Sequence, residues 1–167
     1  MDIWQNFNRH YADLYCFTRR LLCNHENAED VTQETMLRFA RDKAGKLTGE
    51  SARKWLFVVA RNMCVSVIRK ETNRNEAALE NIPEISSSSP TPSDRALSNE
   101  RNRIIEQAVA TLPFDMREVI ILREYEGMNY EEISGIADCP VGTVRSRLAR
   151  ARAELRRLLT PFMEDEL

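Results

Sequence analysis

The most informative part of the sequence for the fold is residues 112–159, LPFDMREVIILREYEGMNYEEISGIADCPVGTVRSRLARARAELRRLL. The NYEE pattern beginning at Asn129 is a capping signature that predicts a short helix to about Ala137. Asp138-Cys139-Pro140 then predicts a tight turn, with proline placed for a helix start. A longer helix is expected from Val141 to about Leu159. A short helix, a three-residue turn and a longer basic helix are the parts of a helix-turn-helix.

The last predicted helix has two contrasting faces. At about 100° per residue, one apolar stripe is expected to pack on the domain; it comprises Val144, Leu148, Ala151, Leu155 and Leu158. The opposite face combines small residues with arginines, which suits close approach to a DNA groove; it comprises Ser146, Ala149, Arg150, Ala153 and Arg157, flanked by Arg145 and Arg156. Residues 141–159 hold six arginines and one glutamate, a poorer mixture of signs than a solvated face usually has.

Upstream, periodicity predicts helices over 2–23, 27–43 and 51–73, with Asn27 as the N-cap of the second. Residues 76–97 are rich in Ser, Pro, Asn and Glu, which is typical of a flexible linker. A helix is expected over 98–112, and Asp115 with Glu118 predicts a capping box for a further helix to Glu126, ended by Gly127. The fold class is therefore all-α: two small helical domains, 1–75 and 98–167, joined by a flexible linker.

Two more helix faces are candidate binding surfaces. On the 51–73 helix a strip without acids combines an aromatic with amide, hydroxyl and guanidinium groups, which suits unpaired bases, although a solvated face is an equal reading. It comprises Trp55, Asn62, Ser66, Arg69 and Asn73, beside Lys54, Arg61, Lys70 and Arg74. On the 27–43 helix a polar side surrounds an apolar centre, which suits either protein docking or an ordinary surface. It comprises Asp30, Gln33, Glu34, Leu37 and Arg41.

Composition limits the alternatives. The net charge is −2, yet residues 115–138 carry seven acids and two arginines, whereas the basic residues gather further on. No apolar stretch approaches a membrane span and no signal peptide is visible, so the expected location is the cytoplasm. The four cysteines are expected to be reduced and mostly packed, and His10, Cys16, Cys23 and His25 fit no standard zinc spacing. No metal, cofactor or enzyme chemistry is expected.

Three segments together resemble a bacterial sigma factor of the extracytoplasmic-function (ECF) group, in the sigma-70 family. AEDVTQETMLRFAR (28–41) resembles the segment that docks on the polymerase clamp helices. WLFVVARNMCVSVIRKETNR (55–74) resembles the segment that opens and recognises the −10 element, and 112–159 resembles the −35-recognising domain. The resemblance covers nearly the whole chain outside the linker.

The resemblance implies a role for each matching residue. Core RNA polymerase, through its clamp helices, would contact Asp30, Gln33, Glu34 and Leu37, and its flap would contact the C-terminal domain. Single-stranded −10 DNA would contact Arg61, Asn62, Ser66, Arg69 and Lys70, with the 44–51 loop near a flipped base. Duplex −35 DNA would contact Thr143, Arg145, Ser146, Arg147, Ala149 and Arg150. An anti-sigma factor is the implied regulatory partner. Thr32 stands where the family commonly has a branched aliphatic residue, and the 44–51 loop lacks the aromatic of many relatives.

A stand-alone helix-turn-helix regulator is the competing hypothesis. It predicts specific duplex binding without polymerase, at two half-sites about one helical turn apart. The initiation-factor hypothesis predicts little sequence-specific binding by the free chain, because a shared scaffold sets the spacing of two weak modules.

Overall fold

The computed structural model describes residues 3–43, 45–77 and 96–163, and in these ranges it contains helices and no strand. The all-α prediction is therefore confirmed. The predicted 76–97 linker falls mainly outside the described residues, which include only its first two and last two positions. The helices are α1 (Ile3–Leu22), α2 (His25–Asp42), α3 (Gly49–Ala77), α4 (Ala96–Thr111), α5 (Phe114–Ile120), α6 (Tyr130–Ala137) and α7 (Val141–Met163), with a π-helical segment at Ile121–Tyr125.

Two predicted helix starts were wrong. Helix α2 is capped by Asn24, whose side chain accepts a hydrogen bond from the Asn27 N–H at 3.0 Å, so Asn27 lies inside the helix. The reason is the left-handed backbone of Cys23 (φ 54°), which ends α1 at once and leaves room for an earlier start. Helix α5 begins at Phe114 after Pro113 with no side-chain cap, and Glu118 forms no capping box because it points to α3 instead.

The helix-turn-helix starts as predicted. The Asn129 side chain accepts from the Glu132 N–H at 2.9 Å, and the Glu132 carboxylate accepts from the Asn129 N–H at 2.7 Å, which completes a capping box. Gly127 has φ of 66°, the left-handed conformation expected of a helix-ending glycine. Asp138 is also left-handed (φ 51°) and turns the chain from α6 to α7.

The N-terminal unit packs α1, α2 and α3 around Leu14, Phe17, Leu21 and Phe57, with the rings of Phe17 and Phe57 5.0 Å apart. Thr32 lies in this core and is fully buried. Its hydroxyl donates to the Ala28 carbonyl at 2.7 Å and lies 2.9 Å from the buried Thr18 hydroxyl. The Ala28 carbonyl and the Thr18 hydroxyl thus satisfy the buried hydroxyl of Thr32.

In the C-terminal unit α7 packs on α4, α5 and α6 through the predicted apolar stripe. Val144, Leu148 and Ala151 are buried, whereas Leu155 and Leu158 are only half-buried towards the helix end. Among the described helices none is long and apolar enough to cross a membrane.

The expectation of mostly packed thiols was wrong. All four cysteines are free, but Cys16 and Cys23 are exposed and only Cys64 is buried. Burial raises the pKa of Cys64 to about 12, so this thiol stays protonated and behaves as an apolar core group.

Candidate nucleic-acid interface

The outer face of α7 is an exposed surface of small and basic residues. Arg145, Ser146, Ala149 and Arg150 are all exposed along two successive turns. The Ser146 hydroxyl donates to the Thr143 carbonyl at 3.0 Å, and Arg150 Nε donates to the Ser146 carbonyl at 3.4 Å. No acidic side chain is recorded as a partner of Arg145 or Arg150 within the described part of the chain, so their guanidinium groups can take anions or base edges.

The remaining two −35 candidates, Thr143 and Arg147, are less exposed. Arg147 is largely buried, forms an ion pair with Asp115 at 3.4 Å and donates to Cys139 Sγ at 3.6 Å. Thr143 is half-buried at the start of α7. Arg147 therefore attaches α7 to α5 and to the turn that precedes it.

Two contacts join α7 to residues of other elements in the same unit. The Arg145 guanidinium lies 5.9 Å from the ring centroid of Tyr130, the first residue of α6. Arg152 donates to Glu124 at 2.8 Å, and the hydrogen bond with this carboxylate raises the pKa of Arg152. Acidic residues of the 115–138 stretch therefore neutralise part of α7 and leave its outer face positive.

The polar strip of α3 lies on the surface as predicted from periodicity. Asn62, Ser66, Arg69 and Lys70 are exposed. Trp55 is half-buried, with its ring 5.6 Å from that of Phe39. The strip therefore presents amide, hydroxyl and cationic groups beside an aromatic that is partly packed in the core.

Arg61, a −10 candidate, is held in an ion pair with the other unit. Its Nε donates to Glu118 Oε1 at 2.5 Å and its Nη2 to Glu118 Oε2 at 3.5 Å, while only 17% of the arginine side chain is exposed. This ion pair joins α3 of the N-terminal unit to α5 of the C-terminal unit. In this arrangement Arg61 is not available to DNA.

Glu118 is the important residue that the sequence reasoning misplaced. Its side chain is completely buried. Burial raises the pKa of this carboxyl, and the Arg61 hydrogen bond and charge oppose that rise, as does the charge of Arg147. The density of acids in 115–138 was the available signal, but local spacing suggested a helix cap.

The candidate docking face of α2 is solvent-facing. Leu37 is 66% exposed, the largest exposed fraction among the described large apolar side chains that are exposed. Asp30 and Gln33 are exposed beside it. Glu34 is half-buried and bound to Arg38 at 2.6 Å. An exposed apolar side chain surrounded by acids and amides has the composition of a protein-docking patch.

The predicted 44–51 loop is shorter than expected, because Gly49 already begins α3. Ala44 lies outside the described residues, while Lys46, Thr48 and Gly49 are exposed. In the described part of the chain no three His, Cys, Asp or Glu side chains gather as a metal-ion site would require.

A helix-turn-helix with an exposed arginine face, tethered to a second helical unit with its own polar strip, defines a DNA-binding transcription protein. The family model for Sigma-70 region 2 matches residues 7–74, and the model for Sigma-70 region 4 matches residues 102–155. The chain belongs to the sigma-70 family of RNA polymerase sigma factors and, within it, to the ECF group.

Relatives and solved structures support that assignment. The ECF RNA polymerase sigma-E factor of Haemophilus influenzae is 37% identical over 143 residues, covering 80% of this chain and 75% of that protein. The ECF sigma factor SigE of Mycolicibacterium smegmatis is 32% identical over 99% of this chain, which spans 65% of that relative's length. The sigma factor RpoE of Bartonella quintana, solved with the anti-sigma factor NepR, has a TM-score of 0.78 and 29% identity, covering 95% of this chain and 97% of that chain.

Proposed function

We propose that this chain binds core RNA polymerase through α2 and directs it to promoters by placing α3 at the −10 element and α7 at the −35 element. It acts as a non-enzymatic initiation factor, and the domain limits 1–75, 76–97 and 98–167 correspond to its polymerase-docking and −10 unit, its linker and its −35 unit. The observation that carries the proposal is the outer face of α7, where Arg145, Ser146, Ala149 and Arg150 stand exposed on a helix-turn-helix.

The two DNA contacts differ in kind. The major groove of B-form DNA is wide enough to admit a helix, so the outer face of α7 suits duplex −35 DNA. Thr143 and Arg147 would then lie near phosphates. The exposed amide, hydroxyl and cations of Asn62, Ser66, Arg69 and Lys70 suit a single strand, with Arg61 as a fifth contact once it leaves Glu118. The short loop before Gly49 would border the flipped base.

The protein contacts follow from the polar face of α2 and from the relatives. Asp30, Gln33, Glu34 and Leu37 would dock on the clamp helices of core polymerase, and the C-terminal unit on its flap. The sigma factor RpoE of Bartonella quintana was solved with an anti-sigma factor. Its likeness to this chain supports an anti-sigma partner here. The proposed location is the cytoplasm, where the chain would meet the polymerase.

Reconstituted transcription tests the proposal. Core polymerase, the purified chain and a library of promoter fragments are combined, and transcripts are sequenced. Transcripts that need both proteins are expected. Tight operator binding by the chain alone, with no added transcripts, would instead support a stand-alone regulator.

Leu37→Asp tests the docking face. Because a buried charge without a partner is costly at an interface, we expect loss of polymerase association in a pull-down while circular dichroism shows an unchanged helix content. Phe162→Asp is the matched control, since Phe162 is also an exposed apolar residue, 56% exposed, but lies at the far end of α7. Equal association of the two variants would remove the docking assignment.

A further inference from the structure

The two units meet through pairs of opposite charge. Three arginines of the N-terminal unit face three glutamates of the C-terminal unit. Arg61 binds Glu118, Arg53 Nη2 lies 3.4 Å from Glu126 Oε2, and Arg20 Nη2 lies 3.6 Å from Glu106 Oε1.

The contacts beside these pairs join the same elements. Arg53 also donates to the Glu126 backbone carbonyl at 3.0 Å, and the Arg20 guanidinium stacks 4.0 Å from the Tyr125 ring centroid. Tyr125 and Glu126 lie at the end of the π-helical segment. The wider turn therefore carries two residues that contact the N-terminal unit.

The arrangement in which these three pairs form is called closed below. It brings together residues that are proposed to contact different promoter elements. Arg61, a proposed −10 contact, and Arg147, a proposed −35 contact, both act electrostatically on the one buried carboxylate of Glu118. Elements centred near −10 and −35 are about 25 base pairs apart, or about 85 Å along B-form DNA at about 3.4 Å per base pair. A chain closed in this way cannot contact both elements.

Two features of the contact between the units favour its opening. A cleft of about 230 Å³ remains between α3 and the C-terminal unit, bordered by Lys54, Met128 and Glu132 among others. Arg20 Nε and Arg117 Nε are buried at the junction without an acceptor among the described residues. Unsatisfied donors weaken closure, because opening returns them to water.

We propose that the acidic face of the C-terminal unit, formed by Glu106, Glu118 and Glu126, docks on the arginines of the N-terminal unit and holds the free chain closed, in competition with promoter DNA. The proposal rests on the proposed function, since it needs the −10 role of Arg61. The carboxylates take the place of DNA phosphates at that arginine. Polymerase binding, which separates the units, releases it.

Charge reversal on the acidic face tests the docking. Glu106→Arg/Glu126→Arg places cations against Arg20 and Arg53, and the added Arg20→Glu/Arg53→Glu restores both pairs with reversed sign. The matched control is Glu124→Arg/Glu131→Arg, because these changes add the same charge nearby. Glu124 pairs with Arg152 of its own unit, and Glu131 is exposed.

Two measurements are made on the full chain without polymerase. Small-angle X-ray scattering gives the radius of gyration, which is about 15 Å for a compact chain of this length. Fluorescence anisotropy gives the affinity for a labelled single-stranded DNA oligonucleotide of mixed sequence. If nine chains in ten are closed, opening tightens the apparent affinity about tenfold.

We expect the Glu106→Arg/Glu126→Arg variant to have a radius of gyration several ångström larger than that of the control. It should also bind the oligonucleotide about tenfold more tightly than the control does. The variant with all four substitutions should be compact again, and its affinity for the oligonucleotide should be as low as that of the wild type. An unchanged radius, an affinity gain equal to the control's, or failure of the four substitutions to restore closure would each overturn the proposal. Circular dichroism confirms that each variant is helical, and a compact four-substitution variant shows that the substitutions are tolerated. If scattering shows the docking while wild type yields no promoter-dependent transcripts, only the proposed function fails.

Discussion

At the residue scale, the outer face of α7 is set by helical periodicity, which is a local property of the chain. Arg145, Ser146 and Arg150 are all exposed there. The partner of Arg61 could not be found in the same way. Glu118 is 57 positions away in another unit, so the pairing depends on how two separately packed units meet.

Arg150→Ala is expected to relax −35 preference at one or two base positions. A bidentate arginine–guanine contact contributes about 1–3 kcal/mol of discrimination, so transcripts from a randomised −35 library should become less selective there. Arg156→Ala is the control, because Arg156 is exposed at the flank of the same helix. A uniform loss of affinity for all sequences would assign Arg150 to the phosphates.

The buried threonine pair gives a second residue-scale prediction. Thr32→Val alone removes the 2.9 Å contact with Thr18 and the bond to Ala28, and should lower the free energy of unfolding by about 1 kcal/mol. Thr18→Val/Thr32→Val should cost less than the sum of the two single changes, because the contact between the two hydroxyls is lost in each single variant and is counted twice in that sum. Urea unfolding of the four proteins measures the coupling, and strict additivity would contradict it.

At the element scale, helix starts show what local patterns can and cannot specify. The capping box at Asn129 was predicted, since both partners lie within four residues. The same kind of pattern at Asp115 and Glu118 failed, because a buried ion pair with α3 takes the glutamate. The N-cap of α2 moved to Asn24 for a backbone reason, the left-handed Cys23, which composition does not reveal.

Asn129→Ala should destabilise the helix-turn-helix by about 1 kcal/mol, because the backbone N–H of Glu132 at the start of α6 loses its side-chain acceptor. Asn129→Asp keeps an acceptor at the helix start and should stay near wild type. Thermal unfolding followed by circular dichroism compares them. Equal melting temperatures of the alanine variant and wild type would show that the cap contributes nothing.

At the scale of the whole molecule, closing the units removes water from the carboxyl groups of Glu118 and Glu126, and the paired arginines offset that loss only in part. Burial raises the pKa of Glu118 and of Glu126, against the opposing effect of Arg61 and Arg53. The closed chain therefore binds protons more tightly than an open chain whose glutamates titrate near 4.5. The sign follows from linkage: the titration favours closure at low pH, and this contribution is lost as pH rises through the raised pKa values.

We expect the radius of gyration to decrease on acidification from neutral pH towards the ordinary glutamate pKa, as measured by small-angle scattering. The charges that act on Glu118 are Arg61 from α3, Asp115 from its own helix and Arg147 from α7. Glu118→Gln should reduce the pH dependence, because an amide cannot ionise, and leave the part due to Glu126. A radius that grows on acidification would contradict the sign.

The π-helical segment Ile121–Tyr125 has a consequence for how such a protein can change. A π turn holds one residue more than an α turn, so deleting a single residue there would restore ordinary α geometry. The deletion would change the path of the chain into Tyr125 and Glu126, which contact Arg20 and Arg53 of the N-terminal unit. One lost codon in this segment would therefore alter the contact between the two units without substituting any residue on the outer face of α7.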